Sequence, residues 1–350
     1  MIVERDVAAY CCGPDATIAE VLRRINATAF LFQVVVDAHN KPVGTVTDGD
    51  IRRALVRGES LEAAVERCMF PRPQIAAESD IDRARAKLAA ARISFLPLVD
   101  GAGRIAAFLV DRPQRRKMPA ALVMAGGFGK RLGERTKERP KPLLEVAGRP
   151  ILDHLLGKLE EAGVRDVYIS VHYRADQIRA FVAARDNAAA IELVEEPVKL
   201  GTAGAVSLVG ERSEGPLFVL NGDVLTRADL RSMVEFHEAH GHDLTIAIAR
   251  YDVTLPYGVV QFDDAGEFRS VDEKPTLTFN VSAGIYLLSA QVRGFVEPEI
   301  ETDMPLVINR AREMGLKVGV FPVYEYWRDI GRPDDLHAAN NDHAEDEGGA

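Results

Sequence analysis

PAALVMAGGFGKRLGERTKERPKPLLEVAGRPIL, residues 119–152, decides how the rest of the chain is read. Ala120 to Ala125 is a short apolar run, Gly126, Gly127 and Gly129 interrupt it, and Lys130 and Arg131 follow at once. The order is strand, tight loop, cationic corner. Glycine lets backbone N–H groups come up to phosphate oxygens with no Cβ between them, and a helical turn opening there adds its positive dipole end. A polyphosphate is the ligand this suggests. Two better-known glycine loops do not fit. A Walker loop ending at Gly129-Lys130 needs glycine at Met124 and Ser or Thr at Arg131, and a dinucleotide fingerprint from Gly127 and Gly129 needs glycine at Leu132. The plain alternative is a strand-to-helix turn with solvated Lys and Arg.

Downstream of the loop, Lys141 stands between Pro140 and Pro142, which stiffen the backbone and deny it a helix. Such a lysine is held in place, unless it is simply a surface lysine in a loop. Pro150 then opens a helix through Ala162, with Ile151, Leu152, Leu155, Leu156 and Leu159 on one face and Gly163 ending it. A strand at 166–171, a helix at 174–184 and a strand at 191–194 follow. Strands alternating with helices predict an α/β fold with a mostly parallel sheet, whose ligands sit at the carboxyl ends of the strands, where the glycine loop also falls. LFVLNGDVL (217–225) is a buried strand ending in Asn221-Gly222-Asp223, a place for a metal-binding carboxylate or for an Asx turn.

The combination GGxGxRL and PKPL, over Met124 to Leu143, resembles the nucleotidyltransferases that couple a nucleoside triphosphate to a sugar 1-phosphate. The resemblance implies a Rossmann-like sheet and a set of roles. Gly126, Gly127, Gly129 and Lys130 would hold the triphosphate, with Arg131 and Lys141 stabilising charge at the α-phosphorus and on departing pyrophosphate. LGTAGAV (200–206) matches the family's motif beside base and sugar, so Gly201 and Thr202 join the nucleotide-binding set, although Thr202 could equally cap a helix. Asp223 and, from the EYWRDIG segment, Asp329 match the two metal aspartates, and Mg²⁺ is the cofactor implied. In a hairpin at 257–275, Lys274 would meet the sugar 1-phosphate and Glu273 the sugar hydroxyls. Relatives have Asn directly before Ala-Gly. Here that position is Ser282, with Asn280 two residues earlier, which leaves the sugar contact open between them.

Residues 1–117 contain two units of similar plan, each a helix-like stretch, a strand, a turn and a second strand. Thr17 can cap a helix from Ile18 to Asn26, FLFQVVVD is a strand, and VGTVTDGDIRRAL gives strand, loop and helix; SDIDRARAKLAAARI, FLPLVD and RIAAFLV repeat the plan. The pair resembles tandem CBS domains, α+β sensor modules that bind adenosine-type ligands. That resemblance implies that Thr47 and Asp50 contact a ribose, that an adenine nucleotide is a possible partner, and that pairing with a second copy gives a homodimer or higher homo-oligomer. A purely structural alternative has Asp50 capping a helix that starts at Ile51. The second unit has no matching Thr-x-x-Asp.

The expected division is therefore 1–58 and 59–113 for the repeats, 114–119 for a linker, 120–340 for the nucleotidyltransferase domain and 341–350 for an acidic tail without structure. A chain of 350 residues suits two or three domains. At 47% hydrophobic and 27% charged residues it is an ordinary globular composition. Net charge is −10, but residues 1–117 carry 18 Lys and Arg against 15 acids and the remainder 25 against 38. That acidity disfavours a nucleic-acid surface and leaves individual Lys and Arg, helped by metal, to handle phosphate. No run is long and apolar enough for a bilayer, and MIVERDV lacks a basic-then-apolar start, so no membrane partner and a cytoplasmic location are expected. Cys11, Cys12 and Cys68 lack CxxC spacing and are expected to be free thiols.

Fused sensor modules together with the DMP and EYWxDIG segments are similar to bacterial enzymes that guanylylate glucosamine 1-phosphate for legionaminic-acid-type sugars. GTP and glucosamine 1-phosphate are the favoured substrates on that basis. UTP, dTTP or CTP with another hexose or heptose 1-phosphate is the alternative, as is a regulator that kept the fold without catalysis.

Overall fold

The computed structural model describes residues 1–28, 30–91, 93–111, 117–127 and 135–348. Residues 114–116 of the linker and, in the glycine loop, Gly129, Lys130 and Arg131 lie outside the described residues. The chain divides into two compact units, Met1–Arg116 and Lys117–Ala350.

The first unit runs β1 (Ile2–Glu4), β2 (Cys11–Cys12), α1 (Ile18–Ala27), β3 (Phe32–Val36), β4 (Pro42–Thr47), α2 (Asp48–Val56), β5 (Phe70–Pro71), β6 (Ala76–Ala77), α3 (Ile81–Ala91), β7 (Phe95–Val99) and β8 (Ile105–Val110). These strands form two four-stranded sheets, β2-β3-β4-β5 and β1-β8-β7-β6. The sheets exchange strands across residue 58: β1, from the head of the chain, lies on β8 of the second repeat, and β5 returns to β4 of the first. Each return pairs backbone groups that an open edge would leave bare. Phe32 and Phe95 stack at 3.8 Å, with Tyr10 and Phe108 packed around them, so the repeats share one aromatic core.

Thr47 is the N-cap of α2, and Asp50 its third residue: the Thr47 hydroxyl accepts from the Asp50 N–H at 3.3 Å, while Asp50 Oδ2 accepts from Thr47 N–H at 2.9 Å. The helix thus starts at Asp48, not Ile51, and Asp50 closes the cap box instead of being the cap. Thr47→Ala should cost about 1 kcal/mol, because one helix N–H loses its acceptor. Thr47→Ser should be nearly silent. Thermal unfolding of the full chain, followed by circular dichroism, checks both.

The second unit begins with β9 (Ala120–Met124), a turn α4 (Arg135–Glu138) and a short ribbon, β10 (Glu145–Val146) with β11 (Arg149–Pro150). Then come α5 (Ile151–Ala162), β12 (Asp166–Val171), α6 (Ala175–Ala184), β13 (Ala190–Glu195), α7 (Val206–Val209), β14 (Leu217–Asn221), β15 (Val224–Thr226) and α8 (Leu230–His240). It ends with β16 (Leu244–Thr254), β17 (Val259–Phe262), β18 (Phe268–Asp272), β19 (Thr276–Leu288), α9 (Ala290–Arg293), α10 (Met304–Glu313), β20 (Val318–Val323), β21 (Trp327–Asp329) and α11 (Pro333–Gly348). The main sheet has the order β13-β12-β9-β14-β19-β16-β20, parallel except for the two pairings made by β19. Alternation along β9 explains the two layers of helices. Ala121 and Val123 face a core with α5 and α8, while Ala120 and Leu122 face one with α7 and α10.

Beyond the sheet, β16 and β19 continue together as an arm that also carries β17 and β18, and its Tyr251, Tyr257, Phe262, Phe268 and Phe279 are exposed. The expectation of a structureless tail from 341 is corrected as well. Helix α11 continues to Gly348, and Asp342 accepts from Tyr326 and Arg328, which ties its last described side chains to β21. Among the described residues no helix is long and apolar enough to cross a membrane, and Cys11, Cys12 and Cys68 are free, as expected.

Behind the sheet, His237 and His242 both reach the buried Thr245 hydroxyl, at 2.8 and 3.2 Å. Burial lowers the pKa of His237. Burial, with the charges of His240, His237 and Lys317, pushes His242 down from 6.5 to about 4, the nearby Asp243 opposing. A base whose folded pKa lies below its unfolded one binds fewer protons folded than unfolded between the two values. Stability should therefore fall as pH drops from about 6.5 to about 4, and this contribution should be flat above that window. Urea midpoints of wild type and His242→Gln across pH 4–7.5 test it, the variant having the shallower slope.

Candidate active site

At the carboxyl end of the sheet, β9 and β14 lie parallel with Met124 opposite Asn221, and the Gly222 N–H donates to Met124 O at 2.9 Å. Gly126 and Gly127 therefore open beside Asn221-Gly222-Asp223. On the other side of that turn, β15 pairs antiparallel with β21, Val224 opposite Asp329, and the Ile330 N–H donates to Asp223 O at 3.1 Å. A small apolar cluster of Leu144, Val146, Ile151, Leu225, Ile330, Leu336 and Ala339 fixes this ribbon against β10 and α11. The backbones of Asp223 and Asp329, distant in sequence, thus come onto adjacent rungs of one ribbon.

Lys141 completes the group. Its segment, which the prolines were expected to keep out of a helix, forms a single 3₁₀ turn, Lys141–Leu143, with Pro142 and Leu143 buried as anchors. Lys141 Nζ makes an ion pair with Asp223 Oδ2, their side chains only 14% and 25% exposed. The other oxygen, Asp223 Oδ1, is buried without a hydrogen-bond partner. A buried carboxylate oxygen left bare is chemically a cation position, because oxygen donors suit a hard divalent ion and an unpaired acceptor in a dry place is costly. The residues present fit Mg²⁺.

Gly284 lies beside the same turn. Its φ is +69°, and a Cβ there would stand 2.7 Å from Asn221 Nδ2. Trp327 Nε1 donates to Ala283 O at 2.8 Å, fastening the bulge of β19 to β21. Ser282, next to this bulge, shares a hydrogen bond of 2.7 Å with Tyr286 Oη, whereas Asn280 is exposed on the arm opposite Arg250. Glu273 and Lys274 are also exposed on the arm, Lys274 at φ +48°, with no ion pair to the Lys141–Asp223 group among the described residues.

Gly201, at φ +76°, packs so closely that a Cβ would stand 2.7 Å from Thr302 O. Thr202 is a cap, but of a distant helix. Its N–H and hydroxyl both donate to Asp303 Oδ1 at 3.0 Å, and its hydroxyl accepts from the Met304 N–H, the first of α10, at 2.9 Å. The hydroxyl is thereby committed to protein, which leaves this loop its backbone to offer a nucleotide. Thr47 and Asp50 are likewise closed on each other in the first unit, with Arg53 paired to Asp50.

One residue here escapes the motif reading. Glu196, just past β13, is 8% exposed, and its Oε1 lies 2.5 Å from where a Cβ on Gly126 would be. Glu195-Glu196-Pro197 ahead of LGTAG was its only signal in the sequence.

Residues 120–346 match the nucleotidyl transferase family, and residues 3–57 match the CBS domain. Mannose-1-phosphate guanylyltransferase catalytic subunit beta of Drosophila melanogaster is 34% identical over 226 residues, covering 62% of this chain and 60% of its own. Mannose-1-phosphate guanylyltransferase 1 of Arabidopsis thaliana is 34% identical over 228 residues, with 61% and 62% covered. The chain thus spans about three-fifths of the length of these curated relatives. Among solved structures, HddC from Yersinia pseudotuberculosis complexed with GMP-PN is 25% identical at a TM-score of 0.52, covering 65% of this chain and 100% of that one. A putative glucose-1-phosphate thymidylyltransferase from Bacillus anthracis shares the fold at a TM-score of 0.51. The chain belongs to the nucleotidyl transferase family and carries a CBS domain ahead of that fold.

Proposed function

We propose that this protein is a sugar-1-phosphate guanylyltransferase. A phosphate oxygen of the sugar 1-phosphate attacks the α-phosphorus of GTP in line, the bond from that phosphorus to the bridging oxygen breaks, and pyrophosphate leaves with its electron pair. The observation that carries the reading is the Lys141–Asp223 pair at the strand ends where the glycine loop opens, with Asp223 Oδ1 buried and bare and Asp329 on the adjacent rung of the ribbon. The attacking phosphate is already an anion, so no nucleophile has to be generated and catalysis reduces to holding mutually repelling groups together.

Gly126 and Gly127 offer backbone N–H groups to the triphosphate, continued by Gly129, Lys130 and Arg131. Lys141 exchanges its carboxylate for a phosphate oxygen when the triphosphate arrives. Asp223 and Asp329 would hold Mg²⁺, which when bound offsets the charge building on the phosphates. Lys274 takes the sugar 1-phosphate, with Glu273 and Asn280 or Ser282 on the sugar, and Gly201 and Thr202 border the nucleoside. Catalysis belongs to residues 120–340. The CBS pair serves regulation by an adenine nucleotide at Thr47 and Asp50, or assembly into a homodimer.

The guanylyltransferase names of the relatives and the guanine nucleotide bound to HddC support GTP. Mannose 1-phosphate is favoured by those same names, and glucosamine 1-phosphate by the fused sensor pair. Pyrophosphate release over four triphosphates, each with mannose 1-phosphate and glucosamine 1-phosphate plus Mg²⁺, decides. Turnover with GTP and one of these sugars is expected, and silence across the panel would overturn the reading.

A further inference from the structure

The arm beyond the main sheet carries apolar side chains that phosphate chemistry does not use. β16 parts from β20 after Ala249, and β19 meets β14 only from Ile285 onward, so among the described residues Arg250–Thr254 and Thr276–Asn280 have each other as their one neighbouring strand. The Leu255 N–H donates to Pro275 O at 3.0 Å and leads the ribbon on into β17 and β18, which again pair with each other alone. Two-stranded ribbons of this kind are marginally stable in water by themselves.

Register gives each ribbon two unlike faces. Tyr251 stands opposite Phe279 and Val253 opposite Leu277, while further out Val260 stands opposite Val271 and Phe262 opposite Phe268. Cross-strand partners share a face, so these are two apolar tiles of four residues each. The reverse face of the first ribbon is polar and closed on itself. Arg250 donates to Asp252 and to Thr278 at 3.2 Å, Thr278 donates to Asp252 at 2.6 Å, and Thr254 and Thr276 share a hydrogen bond of 3.0 Å. On the reverse face of the second, Gln261 donates to Asp272 at 3.4 Å. The polar faces are thus supplied from within the arm, whereas the eight apolar residues are 36% to 68% exposed. One apolar and one polar face is the pattern of a ribbon packed on one side.

Charge and area say what packs there. The tiles carry no charge, and Arg250, Asp252 and Asp272 stand on the reverse faces, so two copies of the tiles can meet without bringing like charges together. At ~200 Å² for a side chain of this size and about half of it exposed, the eight residues present roughly 800 Å² per copy, which is what each partner buries in a stable interface of ordinary size. Symmetric dimers close by one patch meeting its own copy. We propose that the arm is a self-association surface, on which Tyr251, Val253, Leu277 and Phe279, together with Val260, Phe262, Phe268 and Val271, pack against the same residues of a second copy of this chain.

Tyr251→Thr with Phe279→Thr, and separately Phe262→Thr with Phe268→Thr, strip one tile each and keep the ribbon, because Thr favours strands and Thr pairs hydrogen-bond across them, as Thr254 and Thr276 do. Sedimentation velocity of the full chain over a dilution series reads association, with circular dichroism as the check on folding. Wild type should be a dimer at micromolar concentration, and each folded variant should need about a hundredfold more protein to associate. A wild type that stays monomeric overturns the inference and leaves the tiles to the first unit or to a different protein. Unchanged association in either folded variant overturns it as well, and moves the dimer contact elsewhere, the CBS pair being the candidate. Amide hydrogen exchange of wild type needs no variant: residues 251–279 should exchange more slowly as concentration rises through the association midpoint, and exchange there that ignores concentration refutes the contact. All three readouts are independent of turnover, so they stand apart from the proposed reaction.

Discussion

Asp223→Asn should lower kcat for pyrophosphate release by about a thousandfold while the protein stays folded. The substitution keeps size and leaves Asn Oδ1 to accept from Lys141, so the partly buried ammonium retains a hydrogen bond. What disappears is the charge and the bare Oδ1 that make this corner a cation position. Preorganised groups aimed at developing charge are worth roughly 10²–10³ in rate when one is removed, and here a single change weakens both the metal corner and the charge balance around Lys141. Stability should move by no more than about 1–2 kcal/mol, because both side chains retain some contact with solvent. Steady-state kinetics with Mg²⁺ titrated alongside thermal unfolding separates the two effects. Near-wild-type turnover in the folded variant would refute the metal assignment and, with it, the observation on which the proposed function rests.

The same corner shows what can be read from sequence and what cannot. The buried runs of β9 and β14 each end at a turn signal, so apolar runs and turn residues together placed those strand ends where ligands gather. Lys141 and Asp223 were legible one at a time, from a lysine between prolines and from a carboxylate at a strand exit. That they pair across 82 positions was not, since nothing local encodes a contact closed only by the packing of Leu144, Ile151 and Leu225. Thr202 was read as a cap and is one, but its helix starts about a hundred residues later at Met304, beyond the reach of any capping pattern. Residues 226–256 escaped assignment altogether. They hold α8 and β16, and the outer half of β16 continues into an exposed arm, so its burial changes midway and no single period describes it. Glu196 hid for a related reason, because its importance lies in burial against Gly126, and burial is invisible where an acidic dipeptide merely precedes a proline.

Gly222→Ala tests how tightly that corner depends on its backbone, and it should damage stability and activity together. A Cβ on Gly222 would lie 2.6 Å from Met124 O and 3.3 Å from Met124 C, so the obstacle is main chain and not a side chain that can swing away. Met124 cannot retreat easily, because the same oxygen accepts the Gly222 N–H and its strand is hydrogen-bonded on both sides, to β12 and to β14. Relief has to come from the end of β14 lifting off β9. Overpacking of this kind costs about 1–3 kcal/mol. The lift also carries the adjacent Asp223 away from Lys141 and from the glycine loop, and displacements near 1 Å at a positioned group can cost ~10² in rate. Unlike Asp223→Asn, then, this variant should unfold at lower temperature and also lose about tenfold to a hundredfold in kcat/KM. Chemical denaturation and kinetics on one preparation check it. A variant with wild-type stability would mean that β14 and β9 separate freely at this end, and the close approach that seats Asp223 beside Gly126 would not be holding the site together.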